Sequence, residues 1–323
     1  GTAMKELVVI SGKGGTGKTS LLAAFASLAS EAVLCDADVD AADLHLVMDP
    51  AIKARHIFRS GHRAIIDPNR CTACGACIDL CRWQAISADF EIDPIACEGC
   101  GVCYHLCPDG AVDFPENTCG EWFVSDTRFG PMVHARLGIA EENSGKLVAV
   151  VRQKARMLGE TNGRQLVLTD GPPGIGCPVI AAIGGADAVL IVTEPTVSGI
   201  HDMQRVANLA NHFKVPAMVS VNKYDLNPEM TAQIVAFARV TGLTPTGNVP
   251  FDPLFTEAVV QGQTIFEHKN KGPAKKAVRE LWRHVGTQLG FTAESVCESP
   301  GFFAARWQLR NQARQSKQAQ RME

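Results

Sequence analysis

The sequence predicts an α/β fold, doubly wound about a mainly parallel sheet and interrupted by a cysteine-rich α+β insertion. Three observations predict it. An apolar run, Leu7-Val8-Val9-Ile10, leads through a glycine-rich turn into a helix-forming stretch at residues 20–28, the order of elements that builds a parallel sheet. The same alternation resumes at Leu166 and continues to Leu289. Between the two, residues 71–107 hold eight cysteines in two sets of identical spacing.

At 323 residues and 46% hydrophobic content the chain can bury a large core, and its length fits about two domains. The expected division is a first part of the α/β domain at 4–60, the insertion at 61–116, a second part at 117–290 and a tail at 291–323. A net charge of −3 and a pI near 6.3 argue against a nucleic-acid partner. No apolar run reaches the length of about 20 residues that crosses a bilayer, and the start lacks a signal-peptide pattern. A cytoplasmic location follows as the expectation. A reducing compartment disfavours structural disulfides, so the 12 cysteines read first as metal ligands.

The turn after the first strand is Gly12-Lys13-Gly14-Gly15-Thr16-Gly17-Lys18-Thr19, followed by Ser20. It fits G-x-x-x-x-G-K-[ST] between a strand and a helix. Glycines let backbone N–H groups close around phosphates, Lys18 neutralises the β/γ oxygens, and the Thr19 hydroxyl can hold Mg²⁺. The domain is therefore expected to be a P-loop nucleotide-binding fold. A second lysine, Lys13, sits inside the loop. The next strand, Ala32-Val33-Leu34-Cys35, ends in Asp36-Ala37-Asp38-Val39-Asp40. Carboxylates at that end of a parallel strand face the ligand, so Asp36, Asp38 and Asp40 are candidates for Mg²⁺-shell and water-positioning roles. Capping of a helix N-terminus is the other role open to them.

The cysteine sets are Cys71-x2-Cys74-x2-Cys77-x3-Cys81 and Cys97-x2-Cys100-x2-Cys103-x3-Cys107-Pro108. This is the run of bacterial ferredoxins, in which the fourth cysteine of each set serves the other cluster. Cys71, Cys74, Cys77 and Cys107 are assigned to one [4Fe–4S] cluster, and Cys97, Cys100, Cys103 and Cys81 to the second. A zinc module needs only four ligands with a longer gap between pairs. The first set has Arg82 where the second has Pro108. So small a module depends on its clusters to hold together.

After the insertion, residues 121–139 read as a β-hairpin around Arg128-Phe129-Gly130-Pro131. Residues 146–158 have helical periodicity, with Arg152, Lys154 and Arg156 expected on a solvated face. Leu166-Val167-Leu168-Thr169-Asp170 is a buried strand ending in a Walker B aspartate, with Asp170 on Mg²⁺ directly or through water. The following Gly171-Pro172-Pro173-Gly174-Ile175-Gly176-Cys177-Pro178 is a natural switch loop. Strands at 188–192 and 217–221 and helices at 201–212, 229–240 and 274–289 complete the domain. Asn222-Lys223-Tyr224-Asp225 mimics the N-K-x-D guanine reader, and spacing alone does not decide adenine against guanine. Cys35, Cys119, Cys177 and Cys297 read as packed apolar residues. In the tail, Phe303 and Trp307 with Arg306, Arg310, Arg314, Lys317 and Arg321 read as a solvated or partner-bound helix rather than a membrane anchor.

The doubled-lysine loop, the Asp36-x-Asp38 segment, the Asp170-Gly-Pro-Pro-Gly run and the eight-cysteine insertion together resemble the MinD/Mrp/ParA class of P-loop ATPases, in its form carrying an inserted ferredoxin domain. Such proteins are often labelled cobyrinic acid a,c-diamide synthase-like, and some resemble subunits of the orange-protein complex of sulfate-reducing bacteria. The resemblance implies a dimer that sandwiches ATP, with Lys13 reaching the partner's nucleotide and Asp38 positioning the hydrolytic water, so that Lys13, Lys18 and Asp38 form the catalytic set and Asp36 and Asp40 are left to Mg²⁺. It implies adenine over guanine, with Asn222 on the base and Pro250-Phe251-Asp252 lining its other side. In the related nitrogenase iron protein a switch-loop cysteine at similar spacing to Cys177 holds a shared cluster; here two complete sets need no ninth ligand.

The expected function is ATP hydrolysis whose nucleotide state gates electron transfer through the two clusters, in a homodimer or a heterodimer with a related ATPase, toward a redox or metalloprotein partner. The alternatives are an ATP-dependent carrier of an iron–sulfur or metal cofactor, disfavoured because the C-terminal C-x-x-C of Mrp-like carriers is absent from the sequence, and a MinD-like spatial-organisation ATPase. Amide synthesis on a corrinoid is not expected, since no cysteine–histidine nucleophile pair is apparent and the stretch after Leu289 is short for a glutaminase.

Overall fold

The computed structural model describes residues 3–29, 32–138 and 143–291. Cys297 and the tail helix around Phe303 and Trp307 lie outside the described residues, as does Ile139 at the end of the expected hairpin. In chain order, β1 (Lys5–Ser11), α1 (Lys18–Leu28), β2 (Ala32–Asp36), α2 (Leu44–Met48) and β3 (Ala51–His62) come first. The cysteine-rich stretch follows, with β4 (Ile65–Ile66), α3 (Ala76–Leu80), α4 (Val102–His105) and β5 (Val112–Asp113). The hairpin is β6 (Glu116–Thr127) and β7 (Gly130–Leu137). The remainder runs α5 (Ser144–Thr161), β8 (Leu166–Pro173), α6 (Cys177–Ile183), β9 (Ala188–Thr193), α7 (Val197–His212), β10 (Ala217–Asn222), α8 (Pro228–Val240), β11 (Thr244–Val249), α9 (Leu254–Val260) and α10 (Pro273–Gln288).

The strands form a nine-stranded sheet in the order β11-β10-β9-β1-β8-β2-β7-β6-β3. From β11 to β7 every neighbouring pair is parallel, which is the doubly wound α/β architecture expected of the sequence. Two compact units result, one of Gly1–Arg55, Trp122–Ala135 and Gly145–Glu323, the other of His56–Glu121 and Arg136–Ser144. The divisions fall inside β3, β6 and β7 and after the first residue of α5.

In the first unit residues 7–10 of β1 form an unbroken apolar run because the strand is covered on both faces. Leu7 and Val9 join the core built from α1, α2, α9 and α10, with Phe25 against Trp282 at 4.9 Å. Val8 and Ile10 are equally buried and face the other way, where α6 and α7 pack. Ala23, Ala24 and Ala26 let α1 sit close to its neighbours while burying nearly all its sides.

One expectation about charge is overturned. Arg152 and Arg156 on α5 do not form a solvated face. Glu6, fully buried on β1, accepts hydrogen bonds from Arg152 Nε and Nη2 at 2.9 and 2.8 Å and from Thr169 at 2.8 Å, and pairs with Arg156 at 2.8 Å. Arg152 also donates to the carbonyls of Ala181 and Gly184, the end of α6. A buried carboxylate without such partners would cost several kcal/mol, so the arginines turn inward. Lys154 lies over the Trp122 ring at 5.8 Å.

The second unit is a repeat. Cys71 N–H donates to Asp67 O and Cys97 N–H to Asp93 O; Asp67 N–H donates to Ala111 O and Asp93 N–H to Ala85 O. Gly75 and Gly101, both left-handed, start α3 and α4. Ile66 pairs antiparallel with Val112, and Ile86 with Ile92. Each half thus closes by pairing with the other.

Candidate nucleotide-binding site

The glycine loop leaves the C-terminal end of β1 and enters α1, with Gly15 and Gly17 at φ +80° and +85°, a region favouring glycine. A methyl at Gly12 would collide with Asp202 of α7, and one at Gly17 with the Asn222 amide. The loop is therefore seated between β1 and α7 on one side and β10 on the other. Thr16 is buried with its hydroxyl unpartnered, and Ser20 lies in the first turn of α1. Gly174 N–H donates to Ser11 O at 2.9 Å, which ties the switch segment to the loop's start.

β2 and β8 are in register with Asp36 opposite Asp170. Lys18 Nζ donates to Asp170 at 2.7 Å and to Asp38 at 3.4 Å, and Thr19 Oγ1 donates to Asp170 at 2.7 Å. Burial draws the Lys18 ammonium down, and Asp170 and Asp38 outweigh it, so its pKa is raised. Burial pushes the Asp36 carboxyl well above the usual range, with Asp170 adding to the push, and burial also raises Asp38. Asp36 accepts from the N–H groups of Asp38 and Leu44, so it shapes the turn as well as charging the site. Three carboxylates face one ammonium here. A bound Mg²⁺ would offset this excess of carboxylate, with Thr19 and Asp170 as its hard oxygen donors and Asp36 behind them. Asp40 is exposed and stands outside this hydrogen-bonded group.

Lys13 lies at the rim, its Nζ 3.5 Å from Glu194 Oε2. Glu194, just past β9, also receives Lys223 Nζ at 2.5 Å on Oε1. Glu194 belongs to no sequence motif, and only its place at the end of an apolar run, residues 188–193, signals it. Asn222 donates to Thr16 O at 2.8 Å. Asp225 accepts from Phe251 N–H at 2.6 Å, and Asp252 from Leu254 and Ala274 N–H. The Asp225 and Asp252 carboxylates thus brace the backbone around Pro250 and the starts of α9 and α10.

Cys177 opens α6 and is exposed, which corrects its reading as a packed residue: the helix begins there and its N-terminal turn faces outward. Cys35 and Cys119 are buried as expected. In the second unit, Cys81, Cys97, Cys100 and Cys103 line one pocket with Trp83, Phe114, Ile86 and Ile92. Cys71 and Cys74 both act electrostatically on the Cys77 thiol, whose pKa burial raises. Ala85 N–H donates to Cys81 Sγ and Ala111 N–H to Cys107 Sγ, at 3.4 and 3.3 Å. Among the described residues no three His, Cys, Asp or Glu side chains converge on a point that would hold a single metal ion. No helix among them is long and apolar enough to cross a membrane.

The CobQ/CobB/MinD/ParA nucleotide binding domain model matches residues 7–265. An uncharacterized protein of Methanocaldococcus jannaschii is 35% identical over 226 residues, 69% of this chain and 79% of that protein. A putative septum site-determining protein MinD of Nephroselmis olivacea is 25% identical over 315 residues, 94% of each. Among solved structures, the septum site-determining protein MinD of Pyrococcus horikoshii complexed with Mg-ADP has a TM-score of 0.52 at 17% identity, covering 89% of this chain and 98% of that one.

Proposed function

The chain belongs to the CobQ/CobB/MinD/ParA nucleotide-binding domain family and is an ATPase, and we propose that it works as an ATP-driven dimerising switch of the MinD/ParA type. The observation that carries this is the division of labour between the two loop lysines: Lys18 is buried among carboxylates, whereas Lys13 is half-exposed at the rim. In this reading Lys18 passes from Asp170 to the β/γ oxygens of ATP, the loop N–H groups of residues 14–19 cradle the phosphates, and Thr19 and Asp170 hold Mg²⁺ with Asp36 in support. When bound there, Mg²⁺ would supply charge neutralisation for the phosphates. Asp38 orients the attacking water, and Lys13 reaches the nucleotide of the partner chain. Asn222, with Pro250 and Asp252, borders the base. Turnover per chain is then expected to rise with chain concentration. Lys18→Ala should abolish nucleotide binding; Lys13→Ala should keep binding and lose the concentration-dependent turnover. Equal turnover per chain in dilute Lys13→Ala and unaltered samples would overturn the reading.

What the cycle controls has two candidate answers. MinD relatives support ATP-driven pairing that governs attachment to a partner protein, as in spatial organisation. The cysteine repeat favours the other answer, in which nucleotide state gates electron transfer through two [4Fe–4S] clusters to a redox or metalloprotein partner. The residues fit such clusters. A cubane takes one thiolate per iron, so its ligands stand apart around a cavity rather than converging on one ion, and Cys81, Cys97, Cys100 and Cys103 line such a cavity with apolar walls. Cys71, Cys74, Cys77 and Cys107 occupy the matching positions of the repeat. The clusters would supply one-electron chemistry, and the chain would supply thiolates, N–H donors to sulfur and an apolar wall. Anaerobic reconstitution followed by a redox titration with and without ATP separates the two answers: an ATP-dependent potential or transfer rate supports gating, and unchanged values leave the positioning role. Loss of cluster to an apo-acceptor would instead mark a carrier.

A further inference from the structure

We infer that Glu194 is a positioning residue for Lys13, and that Lys223 is the counter-ion that lets Lys13 leave. The inference rests on the reading that Lys13 acts on the nucleotide of a second chain. Glu194 is 16% exposed at its side chain and divides its two oxygens between two ammonium groups, Lys13 at 3.5 Å and Lys223 at 2.5 Å. Before Lys13 the loop packs on Asp202 of α7 at Gly12, and after it the loop is open, since a methyl added at Gly14 or Gly15 would meet no atom within 4 Å. The ion pair is thus what turns Lys13 back toward the end of β9. Lys223 is fixed from the other side, left-handed at φ +57° and following Asn222, whose amide donates to Thr16 O.

The charges explain why two lysines are needed. A largely buried carboxylate that lost its sole partner would be left uncompensated, and that penalty would hold Lys13 in place. With Lys223 remaining at the shorter distance, Glu194 stays paired when Lys13 swings to a phosphate. Glu194 therefore biases the ATP-free chain toward a withdrawn Lys13, and Lys223 keeps that bias small enough for ATP to overcome. For pairs near the surface the bias amounts to about three- to tenfold. Lys223, which the N-K-x-D pattern offered as part of a guanine reader, has this charge-balancing use instead.

The test is ATP turnover per chain against chain concentration. Glu194→Gln should lower the half-saturating concentration by about three- to tenfold, Lys223→Ala should raise it by a similar factor, and the double variant should behave as Glu194→Gln alone, because Lys223 acts only through the carboxylate. The opposite sign of the Lys223→Ala shift keeps the test open should Glu194→Gln not fold. Superimposable curves for the single variants and the unaltered chain, or a Lys223→Ala shift that persists beside Glu194→Gln, would overturn the latch, as would a lowered melting temperature with the half-saturating concentration unmoved. Turnover per chain independent of concentration in the unaltered protein would instead remove the pairing of chains, and the latch with it.

Discussion

At the residue scale the site is poised against its own stability. Asp36 is fully buried, and both burial and Asp170 favour its protonated form. The sign follows: a carboxyl whose folded pKa is raised contributes stability that is full below its unfolded pKa and is lost as pH rises through the folded value. At neutral pH Asp36 therefore strains the nucleotide-free chain. Asp36→Asn should stabilise that chain by about 1–3 kcal/mol at pH 7 and weaken Mg²⁺-dependent nucleotide binding. Urea unfolding without nucleotide, set beside a titration with Mg²⁺ and ATP, checks both halves; a destabilised variant would show that the Asp38 and Leu44 N–H bonds outweigh the charge. Asp36, Asp38 and Asp170 were legible as an acidic group because each stands at or just past the end of an apolar run. That Asp40 stands apart was not, since a turn of the backbone rather than spacing directs it outward.

At the scale of elements, the helix α5 was read from its periodicity within a few residues of its ends. The destination of its arginines was hidden: Glu6 lies on β1, 146 residues from Arg152, and no local pattern reports a partner so distant. β7 holds a second buried titratable group. His134 stands 2.9 Å from Ser125 Oγ and stacks on Phe123; burial, with His45 nearby, lowers its pKa to about 4. A histidine with a depressed folded pKa favours folding fully above its unfolded value near 6.5 and loses that support as pH falls toward 4, because the unfolded chain takes the proton first. The loss is about 3 kcal/mol. His134→Asn should lose less stability than the unaltered chain between pH 7 and pH 4.5, by about 2–3 kcal/mol, when unfolding is followed in urea at the two values. Parallel curves would place the acid sensitivity elsewhere. β3 and β11 escaped the sequence reading, β3 because much of it is exposed and polar and β11 because Pro245 and Gly247 interrupt it.

For the whole molecule, the two compact units are expected to respond separately to loss of iron. The His56–Glu121 unit has few large buried side chains, so its order would depend on the clusters proposed for it. Removing iron with a chelator under oxidising conditions should open cleavage sites for a protease within residues 56–121 and leave nucleotide binding by the other unit within about twofold of its starting affinity. Limited proteolysis with mass spectrometry, and a fluorescent ATP analogue, read the two outcomes. A cleavage pattern that iron does not change would count against the clusters.

The sequence by itself determined the nucleotide-binding fold and the spacing of its contiguous motifs. The phosphate loop, the strand-end aspartates and the doubled cysteine register are each set by local spacing and by the strand or turn that presents them. Tertiary structure alone decided what depends on strands meeting out of sequence order. β1 lies between β8 and β9, and this parallel crossover brings Asp170 to Lys18, Arg152 to Glu6 and Glu194 to Lys13. Charges so far apart in the chain find one another only when the sheet is assembled, because burial forces the carboxylates among them to have a partner.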